Sequence, residues 1–156
     1  MKLALLCLAA CLAASVSIPA QARTPEQLAE DALKEAPVWD GHNDVPIQLR
    51  GRFGNVIGEF DFEDTSDTGG DKAQGTWKGR TMHTDLARLR KGRVGAQFWS
   101  VFVTPELPEP EAVQATLEQI DVTRRLVARY PRDLALSLTS ADVARAMSQG
   151  RIASLR

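Results

Sequence analysis

Strand-like and helix-like patterns alternate along this sequence, and the alternation constrains the fold more than any other feature. Residues 94–103 carry the strongest strand pattern, because Val-Gly-Ala-Gln-Phe-Trp-Ser-Val-Phe-Val is apolar at nearly every position. A strand that is apolar on both faces is typical of a parallel sheet covered on both sides. Shorter apolar runs predict strands at residues 38–41, 134–138 and 152–155, the first of them buried. Strands that alternate with helices predict a parallel α/β fold.

Capping signals predict the first and the last helix. The segment 24–27, Thr-Pro-Glu-Gln, combines an N-cap residue, a proline at the first helical position and a capping-box glutamine. Because proline disfavours the helical conformation of the residue before it, this helix ends before Pro37. The segment 139–142, Thr-Ser-Ala-Asp, has the same capping pattern and predicts a helix that ends near Gly150.

Two further helices are predicted in the middle of the chain. Thr84 is placed to cap a short helix over residues 85–91, and a long helix follows over residues 111–129. The predicted apolar face of the long helix consists of Val113, Leu117, Ile120 and Val127. Residues 52–80 are rich in Gly, Asp and Thr with little periodicity, so we expect an exposed loop or insertion there.

The first 22 residues have the pattern of a removable signal peptide. Lys2 precedes an uncharged, largely apolar run over residues 3–18, and Ala-Gln-Ala at 20–22 fits a signal peptidase site. We therefore expect export to the periplasm or the exterior, with a mature chain that begins at Arg23. A transmembrane anchor is the alternative, but an apolar run of 16 residues is short for a bilayer.

A lipid anchor is a second alternative for the same segment. Leu-Ala-Ala-Cys at residues 8–11 resembles a bacterial lipoprotein box, which would place the anchor on Cys11. The apolar run continues past Cys11, whereas a lipoprotein usually becomes polar there. Both cysteines, Cys7 and Cys11, lie in the signal, so a metal in the mature chain would have to bind through His, Asp or Glu.

Length and charge limit what the rest of the chain can be. Removing 22 of the 156 residues leaves 134, about half of the roughly 250 residues that an eight-stranded α/β barrel takes. Residues 23–156 are therefore expected to form either a small open sheet or the N-terminal portion of a larger domain. Without Lys2, 18 Lys and Arg face 20 Asp and Glu, and this net charge of −2 excludes the basic footprint of a nucleic-acid-binding protein.

Candidate metal ligands cluster at one place, Asp40-Gly41-His42-Asn43-Asp44. If the backbone stays extended, residues two apart point to the same side, so Asp40, His42 and Asp44 converge. An imidazole nitrogen and a carboxylate oxygen suit zinc when further ligands come from elsewhere. The alternative is a polar turn with a surface histidine, because Asp, Gly and Asn are turn formers.

These residues resemble a known family. The segment 40–46, Asp-Gly-His-Asn-Asp-Val-Pro, resembles the opening metal motif of the membrane (renal) dipeptidase family, zinc peptidases of the M19 type. Residues 84–101 resemble the second signature of that family almost throughout. Shorter matches follow at residues 116–121, 130–131 and 150–155.

The resemblance implies the N-terminal part of a distorted (β/α)8 TIM-like barrel in an exported dipeptidase with two zinc ions. It implies that His42 and Asp44 are the first two metal ligands, and that the complete enzyme acts on dipeptides and can form a homodimer. Asp40 is then placed to orient the His42 ring, and a turn or helix-cap hydrogen bond is its alternative role.

The family's bridging glutamate, later histidine ligands and substrate-binding arginine have no counterpart before Arg156. We therefore expect an N-terminal fragment that is inactive by itself, with no catalytic residue assigned. A separate polypeptide that supplies the rest is one alternative. A non-catalytic secreted α/β module that binds peptides or a protein partner is the other.

Overall fold

The computed structural model describes residues 22–69 and 75–155. Helices and strands alternate within them, except that two helices, the first of which was not predicted, lie between the first and second strands. In chain order they are α1 (Pro25–Glu35), β1 (Val38–Asn43), α2 (Val45–Phe53), α3 (Leu86–Lys91), β2 (Val94–Trp99), α4 (Glu109–Arg129), β3 (Leu134–Leu136), α5 (Ser140–Ser148) and β4 (Ile152–Leu155). Except for Ala22, the predicted signal peptide lies outside the described residues.

The four strands form one parallel sheet in the order β1-β2-β4-β3, which confirms the α/β fold class. The order is not consecutive, because the connection through α4 passes over one strand position before β3 begins. β4 returns between β2 and β3, and β1 and β3 therefore form the edges of the sheet. This winding differs from the consecutive one expected of a regular barrel.

The first strand is longer than predicted and lies at the surface. Its expected burial is wrong, because β1 pairs only with β2 among the described strands and leaves Trp39 57% exposed. The partner strand β2 is central and carries the buried Ala96 and Trp99. It ends at Trp99 rather than at Val103, and the peptide N–H of Ser100 still donates to the carbonyl of Asn43 at 2.9 Å.

Local capping chemistry sets the helix ends. Both predicted capping boxes are present: the Thr24 side chain accepts from the backbone of Gln27, and Thr139 accepts from that of Asp142. α3 is capped by Asp85 rather than by Thr84, since the Asp85 carboxylate accepts from the backbone N–H of Arg88 at 2.8 Å.

The segment predicted as an exposed loop contributes to the core, so its predicted exposure is wrong. α2 occupies its start and ends at Gly54, whose φ of 53° is the left-handed conformation that glycine adopts without strain. Further along, Phe60 and Phe62 are at most 2% exposed, with ring centroids 5.5 Å apart. Phe62 also meets the Trp99 ring edge-on at 6.0 Å. This packing was not predicted, because the irregular backbone of the segment has no periodic pattern of apolar residues.

A buried arginine ties this segment to α2. Arg52 is 2% exposed, and its guanidinium donates to the carbonyl oxygens of Thr68, Trp77 and Arg80. Burial lowers the pKa of Arg52, and the neighbouring charge of Arg80 adds to that effect. Its hydrogen bonds compensate for the desolvation of a cation.

The long helix α4 buries only part of the predicted face, since Val127 is buried as predicted and Ile120 is half-buried. The buried apolar side chains are Ala115, Val122, Leu126 and Val127. Val113 and Leu117 are each 60% exposed, so their assignment to the core face is wrong. The helix has apolar residues on two sides, and contact with the sheet and α2 covers only one. None of the helices in residues 22–69 and 75–155 is long and apolar enough to cross a membrane.

Candidate metal centre

The two predicted metal ligands meet where β1 passes into α2. β1 ends at Asn43, and Asp44 is the N-cap residue of α2 with φ −89° and ψ 22°. The backbone is therefore not extended through Asp44, so strand alternation does not bring the side chains together. The turn does so instead, and it places His42 Nε2 3.1 Å from Asp44 Oδ1.

The separation of this pair is a hydrogen-bond distance and is also near that of two ligands on one zinc ion. Two atoms that are each about 2.0–2.2 Å from one tetrahedral zinc lie roughly 3.3–3.6 Å apart, close to the observed 3.1 Å. The side chains of His42 and Asp44 are 67% and 49% exposed, so a metal ion can reach them. Within the described part of the chain no third His, Cys, Asp or Glu joins them. The pair therefore fits one zinc, with further ligands required from outside these residues, and does not itself account for two.

Asp40 contacts the backbone of this turn rather than the His42 ring. Its Oδ1 accepts from the peptide N–H of His42 at 3.1 Å, and its Oδ2 accepts from Asn43 Nδ2 at 3.4 Å. This is the turn hydrogen bond that the sequence left as the alternative role for Asp40. Among the described residues, Asp40 makes no hydrogen bond to the His42 ring. Its proposed role in orienting that ring therefore stays a prediction.

A polar network beneath the pair was not predicted. Asn43 Nδ2 lies 3.2 Å from Thr84 Oγ1 and 3.4 Å from Gln97 Oε1. Gln97 is completely buried and stands opposite Asp40 in the β1–β2 register. One signal was present in the sequence, since a glutamine inside an otherwise apolar strand needs buried hydrogen-bond partners. The identity of those partners was not readable, because they are 54 and 57 positions away.

A polar cavity adjoins the network. It has a volume of about 400 Å³, and its described lining residues are Gln48, Arg52, Trp77, Arg80, Thr81, His83 and Thr84. Thr84 belongs to both the network and the cavity, so the two share a wall. The cavity is within the size range of small-molecule sites, and its lining includes the guanidinium groups of Arg52 and Arg80.

Comparison with known proteins places the chain in a family. Residues 26–156 match the family model described as membrane dipeptidase (peptidase family M19). The chain is 37% identical over 133 residues to a protein named dipeptidase verJ from Clonostachys rogersoniana, with 79% of this chain and 31% of that protein covered. It is 39% identical over 127 residues to an uncharacterised dipeptidase of Schizosaccharomyces pombe, with coverage of 72% and 27%.

Both the length of the match and the fold indicate that this chain corresponds to part of a larger family domain. The chain spans about three tenths of the length of these curated relatives. Its parallel α/β sheet of four strands is a portion of the TIM-barrel fold of the matched family. A match over nearly all of the chain after its first 25 residues, with relatives above 30% identity, shows common descent rather than a shared motif. The chain belongs to the membrane dipeptidase family, peptidase family M19.

Proposed function

We propose that this chain is the part of an exported, zinc-dependent dipeptidase that contributes His42 and Asp44 to one zinc ion. The observation that carries the proposal is the 3.1 Å approach of His42 Nε2 to Asp44 Oδ1. The pair lies at the carboxyl end of a parallel strand, where α/β barrels place their reacting groups. The names of the two relatives given above, both dipeptidases, also support the proposal.

The donor atoms of both side chains suit metal binding. Zinc binds imidazole nitrogens and carboxylate oxygens, which His42 and Asp44 provide. The Asp44 side chain makes no capping hydrogen bond to α2, and its Oδ1 faces His42 Nε2. A bound zinc ion supplies a Lewis acid that polarises a carbonyl group and activates water. Since zinc sites in proteins use about four ligands, the proposal requires ligands beyond the described residues.

The cavity beside Thr84 supports a small, polar substrate. A dipeptide has a free carboxylate, and Arg52 and Arg80 give the cavity wall a positive lining. Arg52 reinforces the positive potential from within, since the acceptors of its guanidinium among the described residues are carbonyl and amide oxygens. The cavity is thus a space beside the Asn43 network in which a peptide ligand could be held.

The experiment uses the complete dipeptidase, with the part beyond this chain supplied in the same polypeptide or as a second one, and measures zinc content together with hydrolysis of dipeptides. We expect His42→Ala and Asp44→Ala each to lower zinc affinity by at least about 100-fold and to abolish hydrolysis. His83→Ala is the matched control for zinc content, because His83 is the other histidine of the chain and lies outside the pair. Zinc affinity that survives both pair substitutions would show that the metal binds elsewhere.

Export is a separate part of the proposal and has its own test. The support for it is sequence pattern: an apolar run that follows Lys2 and an Ala-Gln-Ala site at residues 20–22. We expect N-terminal sequencing of the exported protein to begin at Arg23. A chain that retains Met1, or one that begins at a lipidated Cys11, would contradict cleavage at this site.

A further inference from the structure

We propose that Asn43 is a positioning residue, which holds the β1–α2 turn in the conformation that brings His42 and Asp44 together. The inference rests on the zinc site proposed above and adds a residue to it. Asn43 lies between the two ligands in sequence, but its side chain is half-buried while theirs are exposed. It is therefore the side chain that anchors the turn to the protein.

The amide nitrogen of Asn43 reaches three different parts of the chain. Its Nδ2 group lies 3.2 Å from Thr84 Oγ1 before α3, 3.4 Å from Gln97 Oε1 on β2 and 3.4 Å from Asp40 Oδ2 on β1. An amide nitrogen has two N–H donors, so these three acceptors share them. The end of β1 is thus fixed relative to both the neighbouring strand and the residue that precedes α3.

The orientation of the Gln97 amide supports this assignment of donors. Gln97 Nε2 donates to the carbonyl oxygen of Phe98 at 3.1 Å and points towards that of Asp40 at 3.4 Å. With its nitrogen directed at carbonyl groups, Gln97 presents its oxygen to Asn43, which must then donate through Nδ2. Because Gln97 is completely buried, this acceptor cannot turn to solvent instead.

The side-chain oxygen of Asn43 makes a further hydrogen bond at the start of α2. Asn43 Oδ1 accepts from the peptide N–H of Val45 at 3.2 Å, one of the donors that the first turn of a helix leaves unpaired. An N-cap aspartate ordinarily accepts from the N–H of the second or third helical residue, but Pro46 at the second position has no N–H, and the Asp44 side chain makes no capping bond. Asn43 thus supplies a side-chain acceptor at the start of α2, while the Asp44 carboxylate faces His42.

The test compares zinc affinity with the stability of the zinc-free full-length protein. Zinc affinity is measured by competition with a chromophoric chelator, and stability by urea unfolding in the presence of a strong chelator. We expect Asn43→Ala to weaken zinc binding about 10- to 100-fold. Thr84→Val removes only the hydroxyl acceptor, and we expect it to weaken zinc binding about three- to tenfold.

A control and a double variant separate positioning from a general structural effect. Thr116→Val removes a hydroxyl that bonds within α4, to the carbonyl of Ala112 at 2.9 Å, and should leave zinc affinity unchanged. If Thr84 acts through Asn43, Thr84→Val has no further effect on zinc affinity in an Asn43→Ala background. Thr84→Val nearly preserves side-chain shape, so it and Thr116→Val still test the proposal if Asn43→Ala does not fold.

The outcomes distinguish this inference from the zinc site on which it rests. If His42→Ala weakens zinc binding and Asn43→Ala or Thr84→Val changes it by less than about twofold, the positioning role is refuted and the zinc site stands. If His42→Ala itself leaves zinc affinity unchanged, both proposals fail. Equal losses in Thr84→Val and Thr116→Val would likewise show a general structural effect and overturn the positioning role.

Discussion

Two regions of this protein reverse the usual association between regular backbone and burial. The packed segment, residues 56–69 and 80–89, has mostly irregular backbone, yet Phe60, Phe62 and Thr65 are at most 2% exposed. The β1 edge, residues 38–44, is a regular strand followed by a helix start, yet none of its side chains is buried. Regularity reports backbone hydrogen bonding, whereas burial reports what packs against the chain.

The polar side chains of the two regions also differ in burial. In the packed segment, the buried Asp85 carboxylate accepts from the backbone of Thr65 and from the Arg88 guanidinium. At the β1 edge, the His42–Asp44 pair is open to solvent, where a hydrogen-bonded pair of side chains adds little to stability. We therefore expect the packed segment to determine stability and the β1 edge to be free for binding.

The largest expected effect is in the packed segment. Phe62→Ala removes a ring that contacts Phe60, Trp99 and Tyr130, and we expect a loss of about 3–5 kcal/mol in the free energy of unfolding. Urea unfolding followed by tryptophan fluorescence measures it. A loss below about 1 kcal/mol would mean that the segment is peripheral, as its sequence suggested.

A matched pair on α4 tests which helix face is covered. Leu126 is fully buried and Leu117 is 60% exposed, so Leu126→Ala should cost about 2–4 kcal/mol and Leu117→Ala less than about 0.5 kcal/mol. Both substitutions remove the same atoms from the same helix, and urea unfolding compares them directly. Equal losses would show that the Leu117 face is covered by residues beyond those described.

Asp85 should make stability depend on pH. Burial would raise its pKa, but hydrogen bonds from Arg88 and from the backbone of Thr65 outweigh burial and lower the pKa from 3.8 to about 2. A carboxyl group whose pKa is lower in the folded state stabilises the protein above the unfolded pKa. Its contribution, about 2 kcal/mol, is lost as the pH falls from about 4 to 2.

Unfolding by urea between pH 2 and 6 measures this contribution. We expect Asp85→Asn to lower stability at pH 6 and to flatten the fall between pH 4 and 2. Asp121→Asn is the control, because that side chain is 63% exposed and should leave the pH profile nearly unchanged. A profile for Asp85→Asn that parallels the parent protein would refute the role of this carboxylate.

The smallest expected effect on stability is at the β1 edge. His42→Ala should change the free energy of unfolding of the zinc-free protein by less than about 0.5 kcal/mol, since the side chain is 67% exposed. The same variant should lose zinc affinity, so function and stability separate at this residue. A loss above about 1 kcal/mol without zinc would show that the β1 edge also supports the fold.

Features set by neighbours in sequence were predictable. The capping boxes at Thr24 and Thr139 depend on atoms three residues apart, and both are present. The strand at Ile152–Leu155 depends on a short apolar run, and it is present. The approach of His42 to Asp44 was predicted, although by extended backbone rather than by the turn that produces it. Such interactions are local, so the residues that make them stand together in the sequence.

Features that depend on distant partners were decided by the tertiary structure. Whether β1 is an edge strand depends on where β2 and β4 pair, and which face of α4 is buried depends on what packs there. The Asn43 network joins residues 41 and 54 positions apart, which no periodicity records. An apolar or polar side chain specifies the environment that it needs, whereas chain topology decides which distant residues supply it. For that reason the sequence by itself determined the two capping boxes and the candidate ligands, and only the tertiary structure determined the core and the support beneath the metal pair.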